Sequence, residues 1–405
     1  MKPPEMDDKR LRAAAISAFV RHAPALVRVL PGMLLLTGAL LGSVDADARF
    51  PSEAFAAFKE ARLLSCLVPT ELGGMGVDFP QLVRMCEVMG GYCGSTAMIF
   101  AMHQIQVGCI LHHAMGAARF RDVIAELVDK QLLLASATTE VGIGGDVRTS
   151  TCYVELDGDH FTLVKQAPVI SYAEDADAIL ITARKDRDAG PNDQVHVFAP
   201  IGQCSLEPLS GWDTLGFRGT CSLGFVLTAQ CKAENILPVP YADIHAKTMH
   251  PFSHIIWAAL WVGIAADAVA HAHATVRRQA RTTPDRAPPS ALRLAEVDAQ
   301  LTSLRAAVRY AADEYEARLA RFEGQPFPQD FAYATRTSAV KVNASRQIVD
   351  IVGKALMICG INGYRNDHKH SLGRHLRDVY GAALMVNNDR ILLQSATMQI
   401  VQRGE

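Results

Sequence analysis

The sequence predicts a mainly helical protein with a central β domain, laid out along the chain as helices, then strands, then helices again. Three observations carry this expectation. Apolar residues recur at three- and four-residue spacing from about residue 8 to residue 129, as in Phe55, Phe58 and Leu63 or Leu82, Met85 and Met89, which lines up one face of an α-helix. Between about 132 and 240 the pattern changes to short alternating or β-branched runs, CYVELDG, HFTLV, AILITAR and QVHVFAP, split by Gly, Asp, Asn and Pro clusters that read as strands and turns. From about 241 the helical spacing returns in long segments, 253–280, 291–322 and 328–359. The expected units are therefore an N-terminal helical domain over 1–130, a middle β domain over 131–240 and a C-terminal helical bundle over 241–405.

Segregated blocks of helix and strand imply separately packed layers rather than alternating βαβ units. Consistent with that, no GxGxxG follows a strand and no GxxxxGK[ST] occurs, so a nucleotide cofactor has to be held without a doubly wound sheet. The polar, Pro-rich stretch RTTPDRAPPS at 281–290 reads as the loop between two long helices.

Composition narrows the function. A chain of 405 residues, 49% of them hydrophobic and 20% charged, has material for two or three packed domains. Its formal charge of -2 leaves no basic stripe for a nucleic acid. The nine cysteines are scattered singly without a CxxC pair, which points to reduced thiols filling cores, a cytoplasmic setting and no metal cluster. The N-terminal MKPPEMDDKR is acidic where a secretory signal is basic. Apolar runs at 24–42 and 255–272 are interrupted by Arg28 and Pro31 and by Asp267, so both are expected as buried helices rather than membrane spans.

The segment ATTEVGIGGDV at 137–147 carries chemistry. Thr138 and Thr139 supply hydroxyls and backbone N–H groups, and Gly142, Gly144 and Gly145 let a backbone approach a pyrophosphate where a Cβ would obstruct. Taken alone, the segment is equally a glycine-rich hairpin. Four further stretches accompany it: VPTELGGMG at 68–76, VISYAEDADAILITAR at 169–184, GWDTLGFRGTCS at 211–222, and ICGINGYRND with HSLGRHLRDVYGAALMVNNDR between 358 and 390.

Together these stretches resemble the acyl-CoA dehydrogenase superfamily over nearly the whole chain. The resemblance implies an N-terminal helical domain, a middle β-barrel-like domain and a C-terminal four-helix bundle around FAD. It assigns Ser136, Thr138, Thr139, Gly144, Gly145 and Ser171 to the flavin, with Gly145 where the family often has serine and Val169 in place of its usual tryptophan. Gly360 and Gly363, with Asn362 and Tyr364, match the loop that reaches the flavin of a neighbouring subunit, and Arg277 or Arg278 matches the arginine that crosses to that subunit's pyrophosphate, where a guanidinium can make paired phosphate bonds. A homodimer or homotetramer is thereby implied. Arg218 reads as an ion-pairing residue, since arginine does not deprotonate.

The sequence departs from the family at the base. Eight residues beyond Asp378, where the commonest members have glutamate, stands Val386, and the alternative position on the helix near 253 holds Ser253 and His254. Asp389, one helical turn past Val386, and His254 are the candidates for the missing base. Each has a plain structural reading as well, a helix cap beside Arg390 and a packed histidine. His103 and His375 are weaker candidates, because oxygen-using relatives place histidines around the flavin. The resemblance implies an acyl-thioester dehydrogenase of fatty-acid type, acting on acyl-CoA or an acyl carrier protein and passing electrons to an electron-transferring flavoprotein. The alternatives are a monooxygenase of the same fold served by a flavin reductase, and a binding protein that has lost the chemistry.

Overall fold

Helix starts and close backbone contacts position the site. The computed structural model describes residues 43–143, 146–282, 287–328 and 330–401; the helical spacing before residue 43, the apolar run 24–42 and the expected flavin ligands Gly144 and Gly145 lie outside the described residues. The first block holds α1 (Ser52–Glu60), α2 (Phe79–Tyr92), α3 (Gly94–His113) and α4 (Ala118–Lys130). Asp78 opens α2 by accepting from the Gln81 N–H at 2.7 Å while the Gln81 side chain accepts from the Asp78 N–H, so two orphan donors of the first turn are met reciprocally. The turn before it needs glycine: a Cβ on Gly74 would sit 2.0 Å from the Val68 carbonyl oxygen. Helix α3 is buried on all sides over Gly94–Ile110, which is why its apolar residues show no single face.

The middle block forms two sheets. Strands β1 (Leu134–Ala137), β4 (Ala178–Arg184) and β5 (Gln194–Pro200) make one, in the order β1-β4-β5 with β1 parallel to β4. Strands β2 (Glu155–Asp157), β3 (His160–Ala167), β7 (Gly224–Lys232) and β6 (Cys204–Ser210) make the other, antiparallel, in the order β2-β3-β7-β6. Strand β3 buries alternate residues, the period-two signal of its sequence. His103 ties this block to the helices: its Nδ1 accepts from the Leu134 N–H at 3.0 Å and its Nε2 donates to the Leu64 carbonyl at 2.7 Å. Burial pushes its pKa down to about 4, and the imidazole is a neutral cross-link within the core.

The C-terminal block begins at α5 (Tyr241–Ile244), which runs through one π-helical turn, His245–Met249, into α6 (His250–Thr282). Helices α7 (Ser290–Arg321), α8 (Phe331–Cys359), α9 (Ile361–Tyr364), α10 (Gly373–Leu384) and α11 (Asn388–Val401) follow. The three long helices lie within a turn of the bounds their spacing predicts. Helix α6 packs against α2 at backbone contact, since a Cβ on Gly263 would meet the Glu87 carbonyl oxygen at 1.9 Å and one on Gly90 the Leu260 carbonyl oxygen at 2.1 Å. Helix α3 and the helix over Tyr241–Thr282 are long and apolar enough to cross a membrane by composition, but 89% and 78% of their most apolar windows are buried inside the protein. The cysteines are buried or, for Cys204 and Cys221, half-buried, all with free thiols.

Candidate functional site

Two segments that the sequence analysis assigns to a flavin lie side by side. Thr139 donates from Oγ1 to the Val169 carbonyl at 2.8 Å, and the Val141 N–H donates to the Gln166 carbonyl at 3.0 Å. Beneath them Glu140 is an anchor: its carboxylate accepts from Ser150 Oγ and the Cys152 N–H, each at 2.6 Å, from Thr151, and from Lys165 Nζ at 3.3 Å. Burial pushes the Glu140 carboxyl up, but Lys165 and the hydroxyls outweigh it and hold it below its ordinary value. Ser171 stands in a row of hydroxyls, its Oγ 2.8 Å from Ser222 Oγ, which is 2.7 Å from Thr220 Oγ1. Ser136 and Thr138 are half-buried along the same stretch.

These residues fit a flavin. Half-buried hydroxyls line one edge, and Gly142 has φ +91° with nothing within 4 Å of a Cβ, so glycine is needed there for the left-handed backbone rather than for room.

The turn between α10 and α11 faces this loop. Arg390 Nη2 pairs with Asp146 at 2.7 Å, clamping α11 to the segment that follows Gly142. Val386 (φ 51°) and Asn387 (φ 36°) are both left-handed, and α11 starts only at Asn388. The expectation that Asp389 shares a helical face with Val386 is therefore corrected: no helix joins them. Asp389 is exposed in the first turn of α11, its N–H donating to Asn387 Oδ1 at 3.0 Å, a place where a carboxylate favours the helix dipole. The buried residue of this turn is Asn388, which accepts from Lys341 Nζ at 2.7 Å; burial lowers the Lys341 pKa to about 7.

His254 is buried, its ring 4.3 Å from that of His250, with Nδ1 3.2 Å from Ser253 Oγ. Burial first, then neighbouring His250 and Lys341, push its pKa well below the ordinary value, so it is neutral and a poor acceptor for a strongly held proton. His245 stacks on His250 at 5.6 Å. On an α-helix residues five apart do not face one another; the π turn, with its i→i+5 bonding, brings them together, and such turns concentrate at functional sites.

His245 and His250 line a cavity of about 430 Å³ between the middle block and the C-terminal helices, with Arg148, Gln194, Tyr241 and Tyr333. Motif reasoning missed all six. A signal existed for Gln194: with His196 it places polar residues on the buried face of β5, where alternation predicts apolar ones.

Among the described residues, none of those that the sequence assigns to catalysis or to the flavin lines this cavity. Arg277 and Arg278 are exposed near the end of α6, and Gly360 is exposed at φ +60°. Gly363 is buried, and a Cβ there would meet that of Cys359 at 2.7 Å. Arg218 pairs with Asp213 at 3.1 Å. His375 bonds Asp267 Oδ2 at 2.8 Å. With His271, these two bring ligand-type atoms within 4.8 Å of one another, a group able to hold a metal ion that no local motif announces.

Models of two acyl-CoA dehydrogenase domains match this chain, the N-terminal domain over residues 40–130 and the C-terminal domain over 249–393. The chain belongs to the acyl-CoA dehydrogenase superfamily. It is an enzyme family of flavoproteins, and its helical, β and helical layout is the one described above. Among its relatives, the chain is 27% identical over 362 residues to the amino sugar nitrososynthase DnmZ of Streptomyces peucetius, covering 84% of each chain. It is 24% identical over 349 residues to a short-chain-specific acyl-CoA dehydrogenase of Clostridium acetobutylicum, covering 84% of this chain and 87% of that one. The FMN-bound structure of TdsC from Paenibacillus sp. A11-2 superposes with a TM-score of 0.79 at 18% identity, over 93% of this chain and 98% of that one, a likeness of fold.

Proposed function

We propose that this chain is a flavin-dependent monooxygenase that receives its electrons from a separate flavin reductase and oxidises a polar, heteroatom-bearing substrate held in the cavity. The observation that carries this reading is the turn at 386–388. The position of the family's proton-abstracting glutamate holds Val386 in a left-handed turn, Asp389 is exposed beyond it, and His254 is held neutral in the core. An α-proton of a thioester needs a base of matched pKa within hydrogen-bond reach, and these residues supply none. Relatives named as a nitrososynthase and as a dibenzothiophene monooxygenase support the same reading.

We assign the flavin's ring to the edge formed by Ser136, Thr138, Thr139 and Ser171, and its phosphates to the segment Gly142–Gly145. A bound flavin supplies two-electron chemistry and, once reduced, reaction with molecular oxygen. The exposed Arg277 and Arg278, and the loop that carries exposed Gly360 and buried Gly363, are proposed to complete the site of a second copy in a homodimer or homotetramer, with FAD rather than FMN as the resident flavin. The chain's own contribution is to hold the substrate in the cavity and keep water out. Its buried, neutral His245 and His250 offer ring nitrogens without adding charge.

A second reading, an acyl-thioester dehydrogenase acting on acyl-CoA or an acyl carrier protein, is favoured by relatives named acyl-CoA dehydrogenases over most of the chain. The two separate by the source of oxygen. With NADH, a flavin reductase and ¹⁸O₂, a panel of amines and thioethers is expected to yield one product carrying a single heavy oxygen; unlabelled products throughout would remove the monooxygenase reading.

A further inference from the structure

Away from the cavity, three side chains from two helices converge. Asp267 and His271 stand one turn apart on α6 and project from the same face, and His375 reaches them from the first turn of α10. His375 Nε2 lies 2.8 Å from Asp267 Oδ2, and His271 Nε2 lies 3.6 Å from the same oxygen. One ligand-type atom from each of the three falls within 4.8 Å of the others. None of the three lines the cavity described above. His375 is buried, while Asp267 and His271 are half-buried, so an ion can reach the group from solvent.

Two imidazoles and a carboxylate are a ligand set that a divalent ion of the zinc class takes, whereas Mg²⁺ and Ca²⁺ prefer oxygen alone. A tetrahedral ion with ligands at about 2.0–2.2 Å keeps its donor atoms about 3.3 Å apart. The two spacings to Asp267 bracket that figure. A hydrogen bond from His375 to Asp267 needs no metal. The second imidazole is different, because it is aimed at the same oxygen from beyond hydrogen-bond reach, and a shared ion accounts for it. The surroundings agree: His271 Nδ1 lies 2.9 Å from His370 Nδ1, and two ring nitrogens so close hold one proton between them, one donating and the other accepting. A proton on His271 Nδ1 leaves the Nε2 lone pair toward Asp267 and gives the ring the outer partner that ligating histidines almost always have.

We propose that Asp267, His271 and His375 bind one divalent ion of the zinc class, with water completing the coordination, and that this ion pins α6 to the start of α10. The bridge sits at a junction of the fold. Arg277 and Arg278 follow His271 within two turns of α6, and Asp378, whose Oδ1 accepts from the Phe217 N–H at 2.7 Å, lies one turn past His375. An ion at the junction fixes these segments against each other. The site stands apart from the oxidation chemistry proposed above.

The test uses untagged, flavin-loaded protein that is treated with a chelator, dialysed against Zn²⁺ or Mg²⁺, and assayed for bound metal by mass spectrometry, with the melting temperature followed in parallel. Wild type is expected to retain one Zn²⁺ per chain and no Mg²⁺, and to melt higher with Zn²⁺ than with chelator, since a ligand of the folded state stabilises it by mass action. His271→Gln and Asp267→Asn should each weaken zinc binding by more than the roughly tenfold that loss of an outer partner costs, and should lose the zinc-dependent rise in melting temperature. Asp267→Asn is nearly isosteric, so a folding failure in one variant leaves the other to decide. His273→Gln, on the same helix and bonded to Asp298 at 2.9 Å, should bind zinc as wild type does. Two outcomes would each overturn the proposal: no zinc retained by wild type, or zinc retained equally by wild type, His271→Gln and Asp267→Asn, which is the pattern of an ion held adventitiously elsewhere on the chain.

Discussion

Burial sets the state of the histidines. His245 is pushed down to about 3 and His250 to about 4, in each case first by loss of water and then by nearby positive charge. The buried His112, His196 and His103 behave alike, at about 3, 3 and 4. Each has a folded-state pKa below its unfolded value of about 6.5, so between those values the unfolded chain binds more protons than the folded one. Stability is then fully present above pH 6.5 and falls as the pH drops toward 4, by about 1.4 kcal/mol per pH unit for each such imidazole at most. The melting temperature is expected to hold steady from pH 8 to 7 and to drop steeply below 6.5; a flat profile down to pH 5 would mean that these rings are protonated without penalty. The same penalty on the protonated ring makes His254 too weakly basic to be the missing base, which its position in the sequence did not disclose. Nor did position reveal that Asp389 belongs to a new helix: the left-handed pair Val386 and Asn387 resets the register, and neither residue is a glycine that would have flagged the break.

At the scale of elements, the cavity depends on how closely α6 approaches α2. Their backbones touch through Gly90 and Gly263, which fixes where the π turn presents His245 and His250. Gly263→Ala puts a methyl group where the Glu87 carbonyl stands, and neither backbone can yield without moving a helix. The expected loss is about 1–3 kcal/mol in urea unfolding; an unchanged midpoint would show that the crossing is looser than the structure has it. Elements of this kind were the most legible part of the sequence. Long helices with sustained three- and four-residue spacing, and β3 with its alternation, were readable because each repeats one signal many times. The π turn was not, since a single inserted residue leaves the apolar pattern on both sides intact. The two-sheet arrangement was also hidden, because register and strand order come from long-range pairing that no local run encodes.

For the whole molecule, family membership was readable from motifs spread over the chain, and the hydroxyl edge proposed for the flavin was partly readable because Thr139 and Ser171 stand in two of them. The cavity wall was not. Gln194, Tyr241 and Arg148 come from β5, from α5 and from the loop that follows Gly145, and only folding assembles them. Nearly all of the superfamily scaffold is retained here, while Val386 stands where the carboxylate of its commonest reaction is expected. The measurement that bears most directly on this account is an anaerobic titration of the flavin-loaded protein with short-, medium- and long-chain acyl-CoA thioesters, following the visible absorbance of the flavin. An unchanged oxidised spectrum is expected with every thioester, and full bleaching only when a reductase and NADH are added. Bleaching by a thioester alone would contradict it and return the search to a base that Val386 does not provide.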